Sequence, residues 1–291
     1  MPATFANDLC VFRSSNGKPN TSDASEALSV ELGEALFRAL GVQPDARGGE
    51  PTGDPFSREV ATALKSELQT RGSGLTVEPE RALNAFEQFR HVGALRDMRP
   101  EPSREYEKAW RAVGRFVRGK LSNPRDLARF DQLAVAVDAA TTHETETRRL
   151  LLEEVGQESL LKLDVTTSQQ RPGSRSPTLE IGLSLKWSLR TDRAQDCRSQ
   201  GAKMAALRRG RMPHFAVVTM EPRPYMLNLL GGGSGEVDCV YHLDLPALTA
   251  AIEETCVGNP RRRATLETFK RLVAQRRLRD WDELVEYAGT L

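Results

Sequence analysis

Leucines recur every four positions at Leu28, Leu32, Leu36 and Leu40, behind Ser22, Asp23 and Ser25 and ahead of Gly41. That spacing marks one face of an amphipathic helix, preceded by residue types that cap helix starts and followed by the one that most readily closes a helix end. A second stripe, Phe56, Val60, Leu64 and Leu68, follows Asp54 and Pro55, which read as an N-cap and a first helical position. Further helices are predicted over Arg81–Asp97 and Ser103–Lys120, separated by Pro100 and Pro102. The pattern then changes. Leu160–Thr166, Thr178–Trp187, His214–Met220 and Val237–Leu243 are short runs rich in Val, Ile, Leu and Thr, bounded by Gly, Pro and Ser, and they read as strands. Helices return at Ala194–Leu207, Pro246–Thr255 and Arg261–Gln275. The expected fold is α/β, a central mixed sheet flanked by helices with a helical region in front of it. Residues 1–21 are polar and read as a loosely held arm, and 22–291 as a single domain: a helical region 22–125, a sheet-containing core 126–245 and C-terminal helices 246–291.

A chain of 291 residues, 39% of them hydrophobic, can bury a large core. Its 41 basic and 40 acidic residues nearly cancel, so any nucleic-acid signal must be local. Two stretches carry one: Lys186–Arg211 and Arg261–Asp280 each hold eight Lys or Arg against two acids. Amphipathic helices with solvated arginine faces give the same count, so charge alone does not decide. Cys10, Cys197, Cys239 and Cys256 are scattered, without a Cys-x-x-Cys pair or histidines at zinc spacing, and read as reduced thiols. There is no apolar leader and no run long enough to span a bilayer, so a cytoplasmic protein without membrane contact is expected.

Chemistry concentrates between Ser184 and Gln200. Side chains on a strand alternate faces, so Glu180, Gly182, Ser184 and Lys186 share one side of Thr178–Trp187, and an ammonium group is offered to whatever lies there. The next helix is expected to start at Thr191 or Asp192, with either side chain as its cap. Its tip then carries Arg190, Asp192 and Arg193. Arginine donates in bidentate fashion to guanine O6 and N7, and a carboxylate accepts from cytosine N4, so this string has the groups to read G and C in a major groove. An exposed helix tip with internal ion pairs is the bland alternative. Other motifs fail: GGGSGE at Gly231–Glu236 lacks a following Gly-Lys-Ser/Thr and reads as a hairpin loop, and His143-Glu144 has no second histidine at zinc-protease spacing.

The strings Lys186-Trp187, Leu189-Arg190, Asp192-Arg193-Ala194-Gln195, Arg198-Ser199, Pro213-His214, Val217-Val218-Thr219, Glu221-Pro222 and Asp238–His242 resemble type II restriction endonucleases that cut CCGG-centred sites, the NgoMIV type. Weaker similarity reaches Gly53, Phe56 and Phe86–Leu95. The resemblance covers about half the chain. It implies a PD-(D/E)xK nuclease fold in which Lys186 serves the attacking water and Ser184 stands in for the usual acid. It also implies Arg190 and Arg193 on the guanines, Asp192 on the cytosines, and Mg²⁺-dependent hydrolysis of double-stranded DNA by a homotetramer, with a dimer as the smaller option. GCCGGC is the expected site. Departures fall on the metal ligands, because Ser57 and Gln200 occupy positions where the family has acids. The family's strand-starting aspartate is assigned to Asp131, ahead of Leu133–Val137, with Asp138 second. Glu59 and Glu180 are the candidate compensating ligands. The family's outer-base arginine falls on Met226, with Arg223 displaced toward the loop. A cleavage-impaired, sequence-specific DNA-binding relative is the alternative.

Overall fold

The computed structural model describes residues 3–49, 54–94, 99–154, 161–233 and 235–291. Gly53, Leu95, Asp97, Leu160 and Ser234, on which parts of the sequence reading fall, lie outside them. In chain order the elements are α1 (Thr4–Leu9), β1 (Phe12–Arg13), α2 (Ala27–Leu40), β2 (Arg47–Gly48), α3 (Asp54–Thr70), β3 (Thr76–Ala82), α4 (Arg90–Ala94), α5 (Arg104–Arg118), α6 (Pro124–Glu154), β4 (Lys162–Gln169), β5 (Thr178–Lys186), α7 (Thr191–Leu207), β6 (His214–Thr219), α8 (Pro224–Gly231), β7 (Cys239–His242), α9 (Leu245–Cys256), α10 (Arg263–Ala274), β8 (Leu278–Asp280) and α11 (Trp281–Gly289). They form two compact units, one of residues 1–90 with 161–291 and one of residues 91–160.

The larger unit is built on a six-stranded sheet of order β3-β4-β5-β6-β7-β8. β3, β4 and β5 pair antiparallel, whereas β5 to β8 are parallel. Parallel neighbours need long crossovers, which α7, α8 and the α9–α10 pair supply. Helices then cover the strands, so β5 and β6 are buried on both faces and read as near-continuous apolar runs such as Phe215–Val218. The expected mixed sheet with helical flanks is present.

Several elements depart from expectation. The polar opening segment is not loose: Ala3 donates its N–H to Leu243 O at 3.0 Å, and Ala6, Cys10, Asn20 and Thr21 are buried. Asn20 Nδ2 bonds both Leu9 O and Gly49 O. Within the stretch expected as one helix from Arg81, residues 83–85 and 87–89 form 3₁₀ turns. Leu83, Phe86 and Phe89 recur every three residues and are fully buried, and Gln88 bonds both the N–H and the C=O of Leu179 on β5. β3 was not anticipated because Pro79 and its charged residues break the alternation, a pattern confined to edge strands. Leu133–Val137 is not a strand but part of α6, a 31-residue helix that opens with Pro124 behind Asn123.

Candidate active site and DNA-reading element

β4 and β5 bring the first functional group into place. Their pairing of Val165 with Leu183 and Thr166 with Gly182 sets Asp164 opposite Ser184. Asp164 Oδ2 accepts the Leu185 N–H at 2.6 Å and lies 3.4 Å from Ser184 Oγ. Two residues on, past the end of the apolar run, Lys186 is half-buried at the C-terminal end of β5. The face that Ser184 shares with Lys186 is covered by α7, whose Cys197 Sγ sits 3.5 Å from Ser184 Oγ. Burial pushes that thiol up, while the hydroxyl contact with Ser184 and the positive charge of Lys186 pull it down and the carboxylate of Asp164 opposes them. Asp164, Ser184, Lys186 and Cys197 are therefore one electrostatic neighbourhood. Close packing of α7 depends on Gly201, where a Cβ would come within 1.8 Å of Glu236 O.

Next in the chain, Trp187 is buried and meets Phe56 of α3 edge-on, ring centroids 5.5 Å apart. That contact carries the start of α3, with buried Ser57, to the C-terminal end of β5. Glu59 does not join it. Two residues turn a helix by about 200°, and Glu59 is exposed where Ser57 is buried.

Asp131 and Glu180, the other expected ligands, are both engaged with arginines. Asp131 lies on α6, exposed and paired with Arg118 at 3.0 Å, because the segment is helical and not the strand on which that assignment rested. Asp138, the second choice, accepts Trp110 Nε1 at 2.9 Å on the same helix. Glu180 is on β5, but six residues from Lys186 is about 20 Å along a strand. It is buried there against Arg171, at 2.7 Å, and Arg211. The carboxylate that the structure sets beside Ser184 is Asp164, which the sequence reading missed. Its signal is a single acid interrupting the apolar strand Leu163–Val165, without the preceding proline that would have drawn attention to it.

The candidate reading element is the start of α7. Arg190 occupies the N-cap position with extended backbone and no side-chain cap, so neither Thr191 nor Asp192 caps the helix as expected. Arg190, Thr191 and Asp192 are exposed, and half-buried Arg193 donates through Nη1 to Ser188 O at 3.3 Å. The peptide before Arg190 is held at both ends. Leu189 donates its N–H to Glu221 Oε2 at 2.7 Å, and its C=O accepts from Arg223 Nη2 at 2.6 Å. Burial pushes the Glu221 carboxyl up, against the opposing pull of Arg223, whose Nε lies at 2.6 Å, and of the Leu189 and Arg223 N–H groups. Arg223 reaches on to Glu26 Oε2 at 2.9 Å and Asp23 at 3.6 Å. Asp23 is drawn below the usual carboxylate range by its hydrogen bonds from Ser25, and further by the charges of Arg223 and Arg190. Arg223 is 3% exposed and Met226 is likewise buried, so neither presents a group to solvent as an outer-base reader must.

Among the described residues no three His, Cys, Asp or Glu side chains form a metal cluster, and no helix is long and apolar enough to cross a membrane. The donors at the end of β5 are one carboxylate, Asp164, with the Ser184 hydroxyl. Mg²⁺ accepts such a set, since it is commonly bound by one or two carboxylates with waters and substrate phosphates completing its shell. The residues fit one hard cation held jointly with a phosphate.

A family model described as NgoMIV restriction enzyme matches residues 143–286, which include β4, β5, the α7 reader and the Glu221–Arg223 clamp. The type II restriction enzyme NgoMIV of Neisseria gonorrhoeae is 38% identical over 108 residues, 37% of this chain and 36% of that relative. The matched region thus spans about a third of the relative's length. Residues 143–286 of this chain are therefore similar to NgoMIV restriction enzymes.

Proposed function

We propose that this chain is a type II restriction endonuclease that hydrolyses double-stranded DNA at a CCGG-centred site with Mg²⁺. The observation that carries the reading is the adjacency of Asp164, Ser184 and Lys186 to the exposed tip of α7, only four residues after Lys186. In this reading Arg190 and Arg193 donate to guanines and Asp192 accepts from cytosine N4. Binding the bases fixes where the backbone lies, so the scissile phosphate comes to the end of β5. Asp164 would hold the cation there, its carboxylate oriented by the Leu185 N–H and the Ser184 hydroxyl. The bound ion supplies Lewis-acid stabilisation of charge at the phosphate. Lys186 contributes a fixed positive charge beside the phosphate and a donor that orients the attacking water. Assembly into a dimer or tetramer would let one chain engage each half of a palindromic site.

A second reading has a specific motivation: Ser57 and Gln200 stand where related enzymes carry acids, which leaves Asp164 as the one carboxylate hydrogen-bonded to Ser184 among the described residues. A chain with so few ligands could read CCGG without cutting it. One experiment separates the two. Purified protein with Mg²⁺ is incubated with a plasmid carrying GCCGGC, ACCGGT and TCCGGA sites, and the same sites are used as short duplexes in gel retardation. Cleavage at one or more of them is expected. Selective retardation without cleavage replaces the nuclease by the binding relative, and the absence of both cleavage and selective retardation overturns both readings.

A further inference from the structure

The smaller unit is a helical hairpin. Tyr106 Oη lies 3.2 Å from Thr141 Oγ1, Trp110 Nε1 is 2.9 Å from Asp138, and Arg118 Nε is 3.1 Å from Asp131. The descending partners show α5 and α6 running antiparallel, with the turn between residues 118 and 124. Charge is polarised along this hairpin. Residues 111–131, around the turn, carry six Lys or Arg against Asp126 and Asp131, whereas residues 132–154 carry five acids against Arg148 and Arg149.

Two of the six cations are occupied: Arg111 pairs with Glu107 at 3.3 Å and Arg118 with Asp131 at 3.0 Å. Arg115, Lys120, Arg125 and Arg129 are exposed and have no ion-pair partner among the described residues. Arg111, Arg115 and Arg118 follow the i, i+4, i+7 spacing of a single helix face. With Lys108 and the rings of Trp110 and Phe130 they line a groove of about 630 Å³. Clustered like charges repel one another, and a counter-charge relieves that cost. The donors are long, exposed and spread along a helix, with no buried polar group aimed at one point. That suits a line of phosphates and not a discrete small anion.

We propose that the turn end of the α5–α6 hairpin is a second DNA contact, which grips backbone phosphates and reads no bases. It rests on the DNA-binding reading above. It lies ahead of residue 143, where the family match begins, so it is an addition to the matched region.

The test uses the full chain with Arg115→Gln, Lys120→Gln, Arg125→Gln and Arg129→Gln combined. These side chains are on the surface, and preserved helical signal and melting temperature confirm an intact hairpin. Binding to a CCGG duplex and to a scrambled duplex is measured across a salt series. Neutralising a phosphate contact should make the slope of log K against log salt shallower by about 0.9. Both duplexes should lose affinity together, with their ratio unchanged. An unaltered slope overturns the proposal, as does a changed CCGG ratio with the slope intact. A changed oligomeric state with the slope intact assigns the tip to a protein partner instead. Glu144→Gln with Glu146→Gln, at the acidic end, should leave the slope as it is; an equal change there would mean the slope reports net charge, and would also overturn the contact. Failure of the underlying reading looks different, since the unmutated chain would then show no preference for CCGG.

Discussion

Asp164 and Lys186 differ in what they hold, and single substitutions should separate them. Lys186→Ala removes a charge at the half-buried end of β5 and leaves the start of α7 in place, so cutting should fall by roughly 10²- to 10⁴-fold while retardation of a CCGG duplex persists. Asp164→Asn keeps an oxygen to accept the Leu185 N–H but removes the anion, so binding should survive and its enhancement by Mg²⁺ should vanish. Retained cleavage in either variant would take that residue out of the site. Specificity is also a residue-scale matter. Arg193 is tied to Ser188 O at 3.3 Å and is thus oriented before DNA arrives. Arg193→Ala should cost about 1–3 kcal/mol of discrimination between CCGG and its single-base variants. Competition binding measures this directly, and an unchanged ratio would remove Arg193 from the reader.

At the scale of elements, the tip of α7 is positioned by a peptide whose two polar groups are both held from the loop after β6. Glu221 is fully buried against Arg223, and a buried pair that loses one partner leaves an uncompensated charge. Glu221→Gln should therefore destabilise the fold by about 3 kcal/mol, seen as a lower urea midpoint with an unchanged slope. CCGG affinity should fall more than affinity for scrambled duplex, because Arg190 loses its fixed base of support. Equal losses for both duplexes would show the clamp to be structural alone. The same clamp ties Asp23 and Glu26 of the N-terminal segment to the reader, which is why that polar segment is folded in.

For the whole molecule, stability below neutral pH should depend on His242. It is completely buried on β7, and burial lowers its pKa from 6.5 to about 4. Its Nδ1 accepts the Asp244 N–H at 3.1 Å, a bond that only the neutral ring can make. Between those two values the unfolded chain takes up a proton that the folded chain refuses. Stability from this residue is thus complete above pH 6.5 and lost as pH falls toward 4, by about 3 kcal/mol in all. His242→Asn, which retains an acceptor, should flatten the pH dependence of unfolding free energy across that window. An identical slope in the variant would assign the acid sensitivity to other groups.

Local patterns were enough for the helices of α2, α3 and α7, for strands β5, β6 and β7, and for placing Arg190–Arg193 at the start of a helix, because each is encoded by periodicity or by a contiguous string. The metal-side carboxylate was not legible in that way. Asp131 precedes Leu133–Val137 and Asp164 precedes Val165–Thr167, two short runs containing Val, and neither run by itself says that one lies on an exposed helix and the other on a strand paired with β5. Pairing across the sheet does: the register that sets Asp164 opposite Ser184 is a long-range property, and so are the exclusion of Glu180 by two arginines and of Glu59 by the turn of α3. The clamp was hidden for the same reason, since Glu221-Pro222 is a string whose partner, Leu189, lies 32 residues away. Sequence alone determined which chemical groups the chain owns and in what local order they appear. Which of them meet was decided by strand pairing and burial, because those bring together residues that no local spacing relates.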